Sequence, residues 1–203
     1  MYPRRVAVDT TCFAGLILAG GAGRRYGGPK AWATLPDGRS FLAACAAALA
    51  DGGAGPVAAT LPPGEPGEVP RGVVPVVLAA PDLDMFGSLR CGLGRLVAAG
   101  SWRGVVLLPV DHPLVRPGTV AALASTAARA AIATWRGKHG HPVWLARGVA
   151  EGVVEGVLAG PTLREVMRAA GAVDVTVDDP GVTANCNSPE ALAAAWRSGR
   201  RGE

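Results

Sequence analysis

The chain predicts a three-layer α/β domain on a largely parallel, mixed sheet, and three observations carry that expectation. Apolar runs of strand length alternate with alanine-rich helical stretches along most of the 203 residues. The run Gly104–Pro109 is apolar throughout, as a central strand covered on both faces must be. A further apolar run, Ala14 to Ala19, leads into a loop holding Gly20, Gly21, Gly23, Gly27 and Gly28. Glycines at a strand end let backbone amides approach a ligand closely.

In chain order, the first strand spans about residues 13–19. Ser40 caps a helix through Ala50 that stops at Asp51-Gly52-Gly53. Strands follow near 56–61 and 73–80, separated by the Pro- and Gly-rich surface loop 62–72. A helix is expected over 87–99, the central strand over 104–109 and a helix near 119–129. Strands at 131–135 and 142–146 come next. Thr162-Leu-Arg-Glu165 is a capping box that opens a helix to about Ala170. Residues 173–177 alternate weakly and read as a late strand. Ser188 as N-cap, with Pro189 at the first helical position, starts the last helix through Trp196. With no internal repeat, residues 1–203 are expected to form a single domain.

Composition narrows the class. The chain is 49% hydrophobic and 18% charged, and no uninterrupted apolar stretch reaches bilayer-spanning length, so a soluble protein is expected. Residues 1–9 carry a basic pair without the apolar block or cleavage site of a secretory signal, which makes the cytoplasm the expected compartment. Cys12, Cys45, Cys91 and Cys186 are scattered, with no Cys-x-x-Cys, and are expected to be buried reduced thiols. Net charge is +4 with a pI near 9.2, yet Lys and Arg form no stripe and aromatics are 5% of residues. That balance favours small polyanionic substrates over nucleic acid or a membrane surface.

The glycine-rich loop carries the chemistry. Arg24, Arg25 and Lys30 accompany its glycines, and amides, guanidinium and ammonium groups together suit a polyphosphate. P-loop spacing fails, because Pro29 precedes Lys30 and Ala31 follows it. The dinucleotide fingerprint fails too, since its third glycine would fall at Tyr26. The residues do fit Leu-Ala-(Ala or Gly)-Gly-x-x-x-Arg-(Met-like)-Gly-x-x-Lys. Leu18, Ala19, Gly20, Gly21, Arg25, Gly27 and Lys30 fill its fixed positions, and Tyr26 stands where Met is usual.

This pattern resembles the opening signature of nucleotidyltransferases that cut a nucleoside triphosphate between its α and β phosphates. The chain is most similar to the MobA-like NTP transferase family, the molybdenum cofactor cytidylyltransferase and guanylyltransferase group. The resemblance covers about residues 14–196, leaving a short N-terminal extension and a basic C-terminal tail. It implies a Rossmann-like α/β/α nucleotidyltransferase fold, Mg²⁺ as cofactor, CTP or GTP as donor and a phosphate-bearing acceptor. Molybdopterin is favoured over a sugar phosphate, with a molybdoenzyme or its maturation factor as a downstream partner. In the loop, Leu18, Ala19, Gly20, Gly21, Ala22, Gly23, Arg24 and Lys30 would hold the nucleotide, while Arg25 and Lys30 neutralise its phosphates.

Other segments complete the expected site. Asp111 ends the central strand between Pro109 and Pro113, a stiff turn that would aim its carboxylate outward as the metal ligand. Asn185 and Asn187 would share a side of an extended stretch and offer amide oxygens to the metal; turn and cap chemistry explains the same residues equally well. The segment 82–90 resembles a shortened family element in which Ser88, at the start of a helix, would reach a phosphate or ribose. His112 and His141 lie on the acceptor side of the resemblance, His141 within Gly140-His-Pro-Val143, and each also reads as a packed turn residue.

The base stays open. Gly20 and the Asn-x-Asn ending are guanylyl-like, whereas Pro109-Val-Asp-His-Pro113, Gly140-His-Pro-Val143 and Asp179-Pro-Gly-Val182 are cytidylyl-like and outnumber them. A competing class is a non-catalytic molybdopterin- or nucleotide-binding protein. Tyr26 for Met and Asn at 185 and 187 motivate it, and the set Arg25, Lys30 and Asp111 speaks against it.

Overall fold

The structure, a computed structural model, describes residues 12–21, 23, 26–64, 67–80, 83–158 and 162–199. Seven strands form one sheet: β1 (Phe13–Leu18), β2 (Ala54–Leu61), β3 (Val73–Val77), β4 (Gly104–Pro109), β5 (Ala130–Trp135), β6 (Lys138–Ala146) and β7 (Val173–Thr176). Their order is β3-β2-β1-β4-β6-β5-β7, and β6 alone runs against the rest. The helices are α1 (Phe41–Asp51), α2 (Met85–Ala99), α3 (Pro117–Ala124), α4 (Arg147–Glu155), α5 (Leu163–Ala169) and α6 (Pro189–Gly199).

The continuous apolar runs of β1 and β4 have a direct cause. Val106 and Leu108 face the layer of α1, α3 and α6, where Phe41, Leu49, Leu123 and Leu192 are buried. Val105 and Leu107 face the opposite layer, against Leu93 of α2, Val153 of α4 and Met167 of α5. Both faces are covered, so neither strand can alternate with polar residues.

Local chemistry sets several boundaries. Ser40 Oγ accepts from Ala43 N and Thr162 Oγ1 from Glu165 N, as their capping sequences predict. Asp84 caps α2, which therefore starts at Met85 and places the expected first residues inside the helix. The helix expected to reach Arg129 stops at Ala124, because Arg129 already accepts from Ala146 N at the foot of β6. β6 begins four residues before the predicted strand, joined to β5 by the two-residue turn Arg136-Gly137 with φ of 49° and 74°. Positive φ at both positions is what a tight hairpin requires. The sequence did not suggest α4. Gly148 and Gly152 lower its intrinsic propensity, and burial of Val149, Ala150 and Val153 stabilises it instead.

Cys45 and Cys186 are buried as expected, whereas Cys12 is only partly buried and Cys91 lies on the exposed side of α2, contrary to the expectation for all four. No helix among the described residues is long and apolar enough to cross a membrane.

Candidate active site at the strand switch point

From β1 the chain winds through β2 and β3 to one edge, and β4 then lies on the other side of β1. Ligands of open α/β sheets bind beyond the strand ends where the order reverses in this way. Leu18 and Pro109 are in register at that point, and Val110 N donates to Leu18 O at 3.1 Å. The glycine-rich loop and the Asp111 turn therefore leave the sheet side by side.

Within the loop, Ala19 N is already committed to β2, donating to Thr60 O at 3.1 Å and approaching Thr60 Oγ1 at 3.3 Å. Gly20 is partly exposed and Gly21 exposed. Gly23 has φ +58°, and a Cβ there would sit 2.0 Å from Gly28 O, so the loop folds back on itself at a position only glycine fits. Ala22, Arg24 and Arg25 lie outside the described residues, as does Asp82 of the 82–90 segment. A short 3-10 helix, Lys30–Trp32, then sets Lys30 at the loop's exit.

Three polar side chains meet there. Lys30 Nζ lies 3.2 Å from Asp111 Oδ2 and also donates to Asn187 Oδ1. Lys30 and Asp111 are 19% and 21% exposed, enough to be reached by a ligand. Asn185 is exposed two residues before and does not join them. The stretch is not extended as expected. Asn185 N donates to Thr183 O and Asn187 N to Asn185 O, tight turns in place of a strand.

The closing segment is braced in ways the sequence did not show. Cys186 N donates to Asp111 O at 2.7 Å, and Tyr26 Oη donates to Cys186 O at 3.2 Å. The Tyr26 ring packs edge-on against Phe41 at 5.7 Å. Burial pushes its hydroxyl up to about 12, so it remains a neutral donor. Asp179, 2% exposed, accepts from Gly181 N, Arg116 N and Thr119 Oγ1 at 2.7–2.9 Å. The Asp-Pro-Gly run was the only sign of that brace.

Two imidazoles lie behind Asp111. His112 is 4% exposed, with Nδ1 3.3 Å from Gly181 O, and its ring stands edge-on to His141 at 5.0 Å. Burial lowers both, and with His112 beside it His141 falls to about 4, so both are neutral at neutral pH. His141 Nδ1 is buried without a partner among the described residues. Ser88 is the fourth residue of α2, not its first. It is buried, with Oγ 3.4 Å from where a Gly20 side chain would begin. The end of the helix is instead taken by Asp84, whose Oδ1 accepts from Gly87 N at 2.6 Å.

A glycine-rich loop, a lysine and a carboxylate gathered at a strand switch point define an α/β protein that handles a phosphorylated ligand. The MobA-like NTP transferase domain matches residues 15–177; the chain belongs to this family and is a nucleotidyltransferase. A Mycobacterium tuberculosis H37Rv protein named "Probable molybdenum cofactor guanylyltransferase" is 29% identical, covering 96% of this chain and 98% of the relative. Among solved structures, Rv0371c of the same organism aligns with a TM-score of 0.73 at 22% identity, over 93% of this chain and 99% of that one. A manganese complex of Rv0371c aligns at 0.63, with 21% identity over 93% and 100% of the chains. A nucleotidyl transferase from Methanothermobacter reaches 0.73 at 18% identity, over 95% and 100%. These structures share the fold.

Proposed function

We propose that this nucleotidyltransferase moves GMP from GTP to molybdopterin, with Mg²⁺ as cofactor and pyrophosphate as the second product. The observation that carries the proposal is the convergence of Lys30, Asp111 and Asn187 beside the glycine-rich loop. Support for the acceptor and for guanine comes from the 29% identical relative, which matches this chain over nearly its whole length. Gly20 adds only weak support, because a Cβ there would lie 2.3 Å from Leu78 Cδ1, so packing against that side chain favours glycine as well. CTP therefore remains the arm against which GTP is tested.

The donor set fits a hard divalent cation. Asp111 and Asn187 turn a carboxylate and an amide oxygen toward one positive centre, the Lys30 ammonium. Mg²⁺ prefers such oxygens and keeps several waters, so few protein ligands suffice. Held by Asp111 and Asn187, the ion would supply Lewis-acid stabilisation of the charge that develops on the phosphate.

The chain's own residues do the remainder. Lys30 offsets the phosphate charge and the departing pyrophosphate, assisted by Arg25. Gly20, Gly21 and Gly23 bring the backbone against the triphosphate, while Leu18 and Ala19 fix the loop's origin. Asp111 and Asn187 hold the cation. The acceptor's phosphate oxygen is already anionic at neutral pH, so no general base is needed, and positioning with charge stabilisation accounts for the rate.

Pyrophosphate release with GTP or CTP, offered molybdopterin or a sugar phosphate, tests each part. Lys30→Ala and Asp111→Ala should each cost about a hundredfold or more in turnover. Near-wild-type turnover in either variant would refute the site, turnover with CTP alone would correct the base, and turnover with the sugar phosphate alone would correct the acceptor.

A further inference from the structure

Lys30 lies where a divalent cation would have to lie. Its ammonium is 3.2 Å from Asp111 Oδ2 and donates to Asn187 Oδ1, the two oxygens just assigned to the metal. The backbone that carries these two side chains is tied down by contacts that do not involve Lys30. Asp111 O accepts from Cys186 N, and the Cys186 carbonyl is tied to Tyr26 Oη. The lysine, by contrast, is joined to the oxygens only through the end of a flexible four-carbon stem.

We propose that Lys30 is the internal competitor of the divalent cation, so that the metal enters only when a triphosphate draws the ammonium away. The proposal rests on the reading of Asp111 and Asn187 as metal ligands. Two cations a few ångströms apart repel, and neither oxygen can turn fully to both. With Lys30 on the oxygens, free metal binds weakly. Once the lysine turns to a phosphate, its charge is compensated and both oxygens are released. Metal and nucleotide then bind with positive coupling, and that coupling is reciprocal by linkage. The ammonium also spares the site an uncompensated carboxylate before substrate arrives. Lys30 in this role controls the order of assembly as well as offsetting phosphate charge.

The test uses Mn²⁺ alone, without nucleotide, titrated by electron paramagnetic resonance into the full chain and three variants. Lys30→Met, which keeps the bulk and removes the charge, should bind Mn²⁺ at least about tenfold more tightly than the unaltered protein. Lys30→Arg keeps the charge and should stay as weak as the original, which separates charge from loosened packing. Adding Asp111→Asn to Lys30→Met should abolish the gain. Thermal midpoints of all variants confirm that each is folded. Equal or weaker Mn²⁺ binding by a folded Lys30→Met, still dependent on Asp111, would overturn the competition and leave the metal-ligand reading standing. Mn²⁺ binding by Lys30→Met that adding Asp111→Asn leaves unchanged would overturn both.

Discussion

Tyr26 joins two halves of the site through one hydroxyl. Its ring belongs to the core beside Phe41, while its oxygen reaches the segment that carries Asn187. Tyr26→Phe should keep the packing and lose the bond, costing about 1 kcal/mol in urea unfolding. Amide exchange should quicken at Cys186 and Asn187 at the same time; unchanged exchange there would show that the segment is held by other contacts.

His141 makes a prediction about pH. Its folded value of about 4 lies below its ordinary 6.5, so the unfolded chain takes up a proton that the folded chain refuses. Stability from this group is therefore full above pH 6.5 and is lost as pH falls toward 4, by up to about 1.4 kcal/mol per pH unit. His141→Gln should flatten that part of the profile in chemical denaturation. His112, also lowered, would leave a residual slope.

At the scale of elements, the glycine-rich loop depends on one backbone conformation. Gly23→Ala must leave φ +58° or press a Cβ into Gly28 O, and either change opens the turn that Tyr26 N closes on Gly23 O. The midpoint shift produced by saturating GTP with Mg²⁺, worth about 2.7 kcal/mol at a hundred times its dissociation constant, should shrink or vanish. A full shift in Gly23→Ala would place the triphosphate elsewhere.

Elements differed in how plainly the sequence announced them. Strands β1 and β4 were legible because burial on both faces leaves only apolar residues. Helices α1, α5 and α6 were legible because Ser40, Thr162 and Ser188 carry their own capping signals, and each hydroxyl accepts from a backbone amide three residues on. The first half of β6 was hidden because Lys138 and His139 are exposed and polar, and only pairing with Thr134 and Trp135 extends the strand. Helix α4 was hidden because packing forms it and propensity does not.

At the scale of the whole molecule, the site exists because the sheet order brings distant residues together. Lys30 and Asp111 are 81 positions apart, and Lys30 and Asn187 are 157 apart. Reversal of the strand order between the parallel neighbours β1 and β4 places the first loop beside the Asp111 turn, and the return of the chain from β7 lays the last segment across both. By itself, the sequence determined the fold class, the loop, the lysine and the carboxylate, since these are local patterns of burial, turning and charge. Tertiary structure alone decided that Asn187 joins the site while Asn185 does not, that Ser88 is buried, and that Lys30 sits on the oxygens of Asp111 and Asn187. Those outcomes depend on where two segments cross, and side-chain direction at a crossing is set by packing across the fold, which no local pattern encodes.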